Sequence, residues 1–158
     1  GAIEGDPATL SGSEFLEAVH GLIVGKPTID LKLEAAVQRT VRKAIAQGLA
    51  KSAHDCSDGG LAVALAESCI AGKRGFAGEA TVSGRWDAAL FGEAQSRIVV
   101  SVDAKSLGGL KKLAQSEGAP VCVLGKVGGT AFKLGELDVP LAKIEAAWRG
   151  GIPSALGL

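Results

Sequence analysis

The stretch His54-Asp55-Cys56-Ser57-Asp58-Gly59-Gly60-Leu61 gathers an imidazole, two carboxylates, a thiol, a hydroxyl and paired glycines within eight residues. It joins a strand-like segment, Leu49 to His54, to a run that reads as a helix. Such a turn can cradle an anion. The first backbone N–H groups of a helix lack partners within it, and glycines let a phosphate approach the chain closely. Asp55 and Asp58 oppose a bare phosphate, since like charges repel unless Mg2+ bridges them. The alternative is capping, with Ser57 or Asp58 accepting from the helix start while Gly59 and Gly60 allow a tight turn. Spacing alone leaves both open.

His54 and Cys56 would share one face of a strand, the placement a Cys/His nucleophile needs. The acidic loop argues against that chemistry, because negative charge raises a thiol pKa. Cys56, Cys69 and Cys122 form no CxxC pair and no metal-like cluster with His20 or His54. The pattern fits reduced, buried thiols.

A second candidate is Leu90-Phe91-Gly92-Glu93-Ala94-Gln95-Ser96-Arg97, which leads into Ile98-Val99-Val100. Glu93, Gln95 and Arg97 alternate, so a carboxylate, an amide and a guanidinium could line one face of a strand entrance and hold a polar ligand or a neighbouring domain. The alternative is an edge-strand polar face with a surface Glu–Arg pair contributing ~0–1 kcal/mol. Gly108-Gly109 and Gly128-Gly129 have the spacing of neither a P-loop nor a dinucleotide fingerprint.

The elements that must position these residues follow from periodicity and caps. Ser13 caps a first helix carrying Phe15, Leu16, Val19, Leu22 and Ile23, stopped by Gly25 and Pro27. Asp30 caps a second, with Leu33, Ala36, Val37, Val41, Ala44 and Ile45 as its apolar stripe and Gly48 just past its end. Leu49–His54 reads as a buried strand. Leu61 to Gly72 reads as a helix apolar nearly all round, which predicts deep burial. Gly75 to Val82 and Ser96 to Val102 read as strands, with a turn and short helix between them. Asp103 caps a helix through Glu117, closed by Gly118. Val121–Leu124 and Thr130–Leu134 read as strands joined by a Gly-Gly turn, and Pro140 starts a last helix carrying Leu141, Ile144 and Trp148. Helices and strands mixed without a strict βαβ repeat indicate an α+β or layered α/β fold.

The chain has 158 residues, enough for one domain that buries roughly 70% of its unfolded surface. Its 17 Lys+Arg balance 17 Asp+Glu, which does not suit a non-specific nucleic-acid binder. No run approaches the ~20 apolar residues of a membrane span, and the N-terminus lacks the basic start and apolar core of a signal peptide. The expected location is cytoplasmic. The chain begins at Gly1 and contains no Met, so it reads as a piece of something longer.

Ser52 to Glu67 (SAHDCSDGGLAVALAE) strongly resembles a signature of the phosphoribosylformylglycinamidine synthase family, large synthetase subunit. So does Leu90 to Val102, where members commonly have Ser at the Ala94 position. Ser11-Gly12-Ser13-Glu14-Phe15-Leu16 is similar to a third phrase, in the right order. The resemblance covers essentially the whole chain.

It implies the C-terminal, aminoimidazole-ribonucleotide-synthetase-like domain of the second of two related halves, spanning 1–158. The implied fold is α+β, a layered α/β/α arrangement that is partly ferredoxin-like, with a mixed sheet flanked by helices. The implied reaction converts formylglycinamide ribonucleotide, ATP and glutamine-derived ammonia to formylglycinamidine ribonucleotide in purine synthesis. Catalysis would rest on positioning around phosphoryl transfer. ATP and Mg2+ would serve the parent enzyme, with neither tightly bound to the isolated domain. The catalytic histidine would lie upstream, so the resemblance assigns no catalytic residue here, His54 included. It implies a nucleotide or substrate phosphate contact at Asp55, Ser57, Asp58, Gly59 and Gly60. Glu93 and Gln95 would mark a degenerate substrate-type motif, since the equivalent motif of the first half contacts substrate. The implied partners are the upstream domains of the same chain and, in the small form of the enzyme, a glutaminase and a small bridging subunit. The end at Leu158, with no glutaminase attached, leans toward that form. The isolated domain is expected to be inactive. A scaffold domain that binds nothing small is the alternative, as is a domain from a relative such as aminoimidazole ribonucleotide synthetase or selenophosphate synthetase.

Overall fold

Ser13 leaves an extended stretch (ψ 150°) and its side-chain oxygen accepts from Leu16 N–H, starting α1 (Glu14–His20) in the computed structural model, which describes residues 2–157. The helix ends earlier than its apolar spacing suggests. Gly21 turns left-handed (φ +65°), and Leu22 N–H closes back on Leu16 O at 3.1 Å, so Leu22 and Ile23 fall in an exposed irregular segment. Asp30 Oδ1 accepts from Lys32 and Leu33 N–H at 2.8 and 3.1 Å, starting α2 (Leu31–Ala46). Gly48, at φ +67°, follows its end as expected.

The antiparallel pair β2 (Ala50–Asp55) and β5 (Ile98–Val102) forms a two-stranded sheet. Ala36 and Val37 of α2 bury against Ala114 of α5 (Leu107–Glu117) and Ala119, with Ile98 packed on the cluster. Contrary to expectation β2 is mostly exposed, because with a single partner strand one of its edges stays open. Asp103 does not cap α5. A turn of 3-10 helix, Ala104–Ser106, intervenes, and Asp103 pairs with Lys51 at 3.2 Å.

α3 (Gly60–Gly72) buries Leu61, Ala62, Ala64, Leu65, Cys69 and Ile70, matching its all-round apolar sequence. It shares the main core with Ile3, Phe76, Leu90, Phe132 and Leu134. Phe76 belongs to β3 (Phe76–Gly78), and Leu90 to α4 (Trp86–Phe91). The expected strand Gly75–Val82 is split, since Glu79 and Ala80 N–H both turn to Leu124 O, at 2.8 and 3.0 Å. Its second part, β4 (Thr81–Gly84), pairs in parallel with β1 (Ala2–Gly5) instead.

The remaining strands are β6 (Gly125–Val127), β7 (Ala131–Leu134) and β8 (Leu137–Pro140), in a mixed sheet of order β6-β3-β7-β8. Val121–Leu124 is therefore not a strand, which begins only at Gly125. Gly128-Gly129 does not close a hairpin either, because β3 lies between the two strands it connects. Gly75 N–H reaches Gly129 O at 2.9 Å and Gly128 N–H reaches Gly75 O at 2.8 Å, seating the turn on β3. β8 escaped the sequence reading. α6 (Leu141–Ala155) follows Pro140, as the proline suggested, and lies on α3. The result is an α+β fold of helices on mixed sheet, as the resemblance implied, with the strands of the described residues divided among three small sheets.

Candidate functional site

The two motifs singled out by residue type meet in space. Gly59 is the N-cap of α3, left-handed at φ +77°, and no side chain caps the helix there. Neither Ser57 nor Asp58 fills that role. Gly59 N–H instead donates to Glu93 Oε1 at 2.8 Å, and the same oxygen accepts from Glu14 N–H, the first residue of α1, at 2.9 Å. One carboxylate thus serves two chain segments far apart in sequence. Gly60 N–H turns to Ser57 O at 2.9 Å.

Close packing fixes this meeting. A Cβ at Gly60 would lie 2.6 Å from Gly92 O and 2.9 Å from the Phe91 carbonyl carbon. Glu93 N–H donates to Thr9 O at 2.8 Å. The expected alternation of Glu93, Gln95 and Arg97 along a strand does not occur. Ser96 adopts φ +64°, so regular pairing starts only at Ile98. Arg97 turns back and donates Nη1 to Gly92 O and Nη2 to Ala89 O, each at 3.2 Å, which satisfies carbonyls at the end of α4. Gln95 is exposed, away from Glu93's role.

The outer side of the loop is open. Asp55, Ser57 and Asp58 are exposed, and with His54, Ala64 and Glu67 they line a cavity of about 140 Å³. The Ser57 hydroxyl donates to Asp55 Oδ2, which is the chief reason the Asp55 carboxyl is held below its ordinary range. His54 Nε2 lies 3.2 Å from Glu67 Oε2, and Trp148 Nε1 donates to Glu67 Oε1 at 3.3 Å. Glu67 thereby links β2, α3 and α6. Sequence reasoning missed it, because its partners come from three separate elements. A larger cavity of about 340 Å³ lies between α3 and α6, lined mainly by Val63, Ile70, Val139, Ile144, Ala147 and Trp148, and suits apolar contact rather than phosphate.

Cys56 packs against the main core, and burial pushes its thiol above the ordinary range. The Arg97 charge pulls it down and Asp55 adds a little upward, so burial outweighs the acidic loop as the cause. Burial raises the Cys69 thiol as well. A thiol held protonated is a poor nucleophile. Iodoacetamide at neutral pH should therefore label exposed Cys122 well before Cys56 or Cys69, as peptide mass mapping over time would read. Faster labelling of Cys56 would reopen the nucleophile reading.

Among the described residues, no group of three or more His, Cys, Asp or Glu side chains is placed to hold a metal ion. A Mg2+ carried by nucleotide phosphates asks for only one or two carboxylates, and exposed Asp55 and Asp58 are groups of that kind. Among the described residues, no helix is long and apolar enough to cross a membrane.

Residues 3–134 match the family model described as AIR synthase related protein, C-terminal domain. The chain belongs to this family. The AIR-synthase-related chain is 49% identical over 151 residues to phosphoribosylformylglycinamidine synthase subunit PurL of Thermomicrobium roseum, covering 92% of this chain and 21% of that one. It is 47% identical over 168 residues to the same subunit of an Anaeromyxobacter species, covering 99% of this chain and 22% of the relative. The chain spans about a fifth of the length of the curated relatives it matches. Its fold resembles Thermotoga maritima PurL complexed with FGAR, at TM-score 0.70 and 17% identity over 90% of this chain and 26% of that one. The PurLQS structure from the same organism gives TM-score 0.66 and 17% identity over 89% of this chain and 24% of that one.

Proposed function

We propose that residues 1–158 form the C-terminal AIR-synthase-related domain of the second half of a phosphoribosylformylglycinamidine synthase large subunit. The observation that carries this reading is the 49% identity over 92% of the chain to one such subunit. The parent would be an ATP-dependent ligase of purine biosynthesis in the cytoplasm. ATP phosphorylates the amide oxygen of formylglycinamide ribonucleotide, releasing ADP. Ammonia from glutamine then adds at that carbon and phosphate leaves, giving the amidine. The partners of this domain would be the upstream domains, a glutaminase subunit and a small bridging subunit.

Within that enzyme the loop of Asp55, Ser57, Asp58, Gly59 and Gly60, exposed at Asp55, Ser57 and Asp58, would meet a nucleotide or substrate phosphate across the cleft to a neighbouring domain. A scaffold role is the second reading, and one observation favours it: Gly59 N–H is already taken by Glu93. Asp58→Asn in the complete enzyme separates the two. Asp58 is exposed and caps nothing, so the change tests ligand contact rather than folding. Direct contact with a phosphate predicts that kcat/KM rises several-fold, because the Asp58 carboxylate repels that anion and the amide does not. Unchanged kcat and KM would leave the scaffold role alone. Either way the isolated chain should make no formylglycinamidine ribonucleotide, and measurable product from it would refute the domain assignment.

A further inference from the structure

We propose that Glu93 is an internal anion, whose carboxylate occupies the start of α3 where an external phosphate would otherwise sit and ties α1 to the same point. This refines the scaffold reading of the Asp55–Gly60 loop.

The bonding is specific. Glu93 Oε1 accepts from Gly59 N–H at 2.8 Å and from Glu14 N–H at 2.9 Å. Gly59 is the N-cap of the 13-residue α3, and no side chain from its own segment caps it. The charge suits the place, since a helix start carries partial positive charge and its first N–H groups need acceptors. Neighbouring contacts aim the carboxylate. Glu93 N–H is fixed on Thr9 O at 2.8 Å, and Arg97 locks the preceding turn through Gly92 O and Ala89 O. Gly60 brings that turn within van der Waals distance of the α3 start, because no side chain stands between them. The motif that resembles a substrate-contacting one therefore spends its carboxylate inside the molecule. An arriving phosphate would have to displace Glu93 and pass the exposed carboxylates of Asp55 and Asp58, and like charges disfavour both steps.

Amide exchange and inorganic phosphate titration, both followed by NMR on the chain, test the proposal. In Glu93→Ala, protection at Gly59 and Glu14 should fall together by about tenfold, the scale of one bond to a charged acceptor. The same two amides should gain saturable shifts with inorganic phosphate in the tens of millimolar. The unsubstituted chain should show no saturable shift there. Shifts at Ser57 and Asp58 report separately on the outer loop contact, so that reading can fail or survive independently. If Glu93→Ala does not fold, Glu93→Gln carries the test, since its neutral carbonyl is a weaker acceptor and protection should again drop at both amides at once. Unchanged protection in either variant, loss at only one of the two amides, or equal phosphate affinity with and without the carboxylate would overturn the proposal.

Discussion

Replacing Gly60 by alanine should destabilise the chain by about 3–4 kcal/mol, a large share of the ~5–15 kcal/mol typical of a folded domain. Two costs add. Gly60 sits at φ +67°, a region that costs a residue with a Cβ roughly 1–2 kcal/mol. The new methyl would also lie 2.6 Å from Gly92 O and 2.9 Å from the Phe91 carbonyl carbon. Both are backbone atoms, so relief requires moving the Gly92 turn, and forced repacking typically costs about 1–3 kcal/mol. Urea melts of Gly60→Ala against the parent chain would read the loss. Gly108→Ala is the control: it lies in the first turn of α5, with nothing within 4 Å of its Cβ position, and should be neutral or gain ~0.5–1 kcal/mol. Equal stability of the two variants would show that the two motifs do not pack as described.

Leu90→Ala should cost about 3 kcal/mol, within the ~2–5 kcal/mol range for emptying a well-packed leucine site. Leu90 is 2% exposed and sits in the same cluster as Leu61, Leu65 and Leu134. Its helix α4 has only six residues, so packing rather than helix propensity keeps it folded. The midpoint should drop by about ten degrees, at ~2–4 °C per kcal/mol for a chain of this size. Ile152→Ala offers contrast, because Ile152 is 74% exposed and its loss should stay within about ±0.5 kcal/mol. A loss under 1 kcal/mol at Leu90 would mean that α4 is not part of the core.

Local chemistry was legible in the sequence where one residue decides an outcome. Ser13 and Asp30 cap the helices they were expected to cap, and Gly48 and Gly118 turn left-handed just past helix ends. The uniform apolarity of Leu61–Ile70 translated directly into a buried helix. What stayed hidden depended on partners distant in the chain. Nothing around Gly125–Val127 and Ala131–Leu134 signals that a strand from residue 76 will lie between them. The alternation of Glu93, Gln95 and Arg97 looked like a strand face, yet a left-handed Ser96 broke it. The site was legible as two separate motifs. Their union was not, because it depends on a single carboxylate reaching two backbone amides that no sequence pattern connects to it.

The insertion of β3 between β6 and β7 also sets an order of events in time. Phe76 must find Val127 and Phe132, each about fifty residues further along, before the four-stranded sheet has a centre. Closing loops of that length costs entropy before any pairing energy returns, and non-local topology of this kind slows folding. On a ribosome, β3 would emerge and wait unpaired, with its Phe76 side chain without its sheet partners, until the last third of the chain was made. The β2–β5 pair spans a similar separation, from Asp55 to Ile98, but both of its strands are made before Gly125. The sheet is the late event, and the interval before it closes is when this chain is most open to mispairing with another copy.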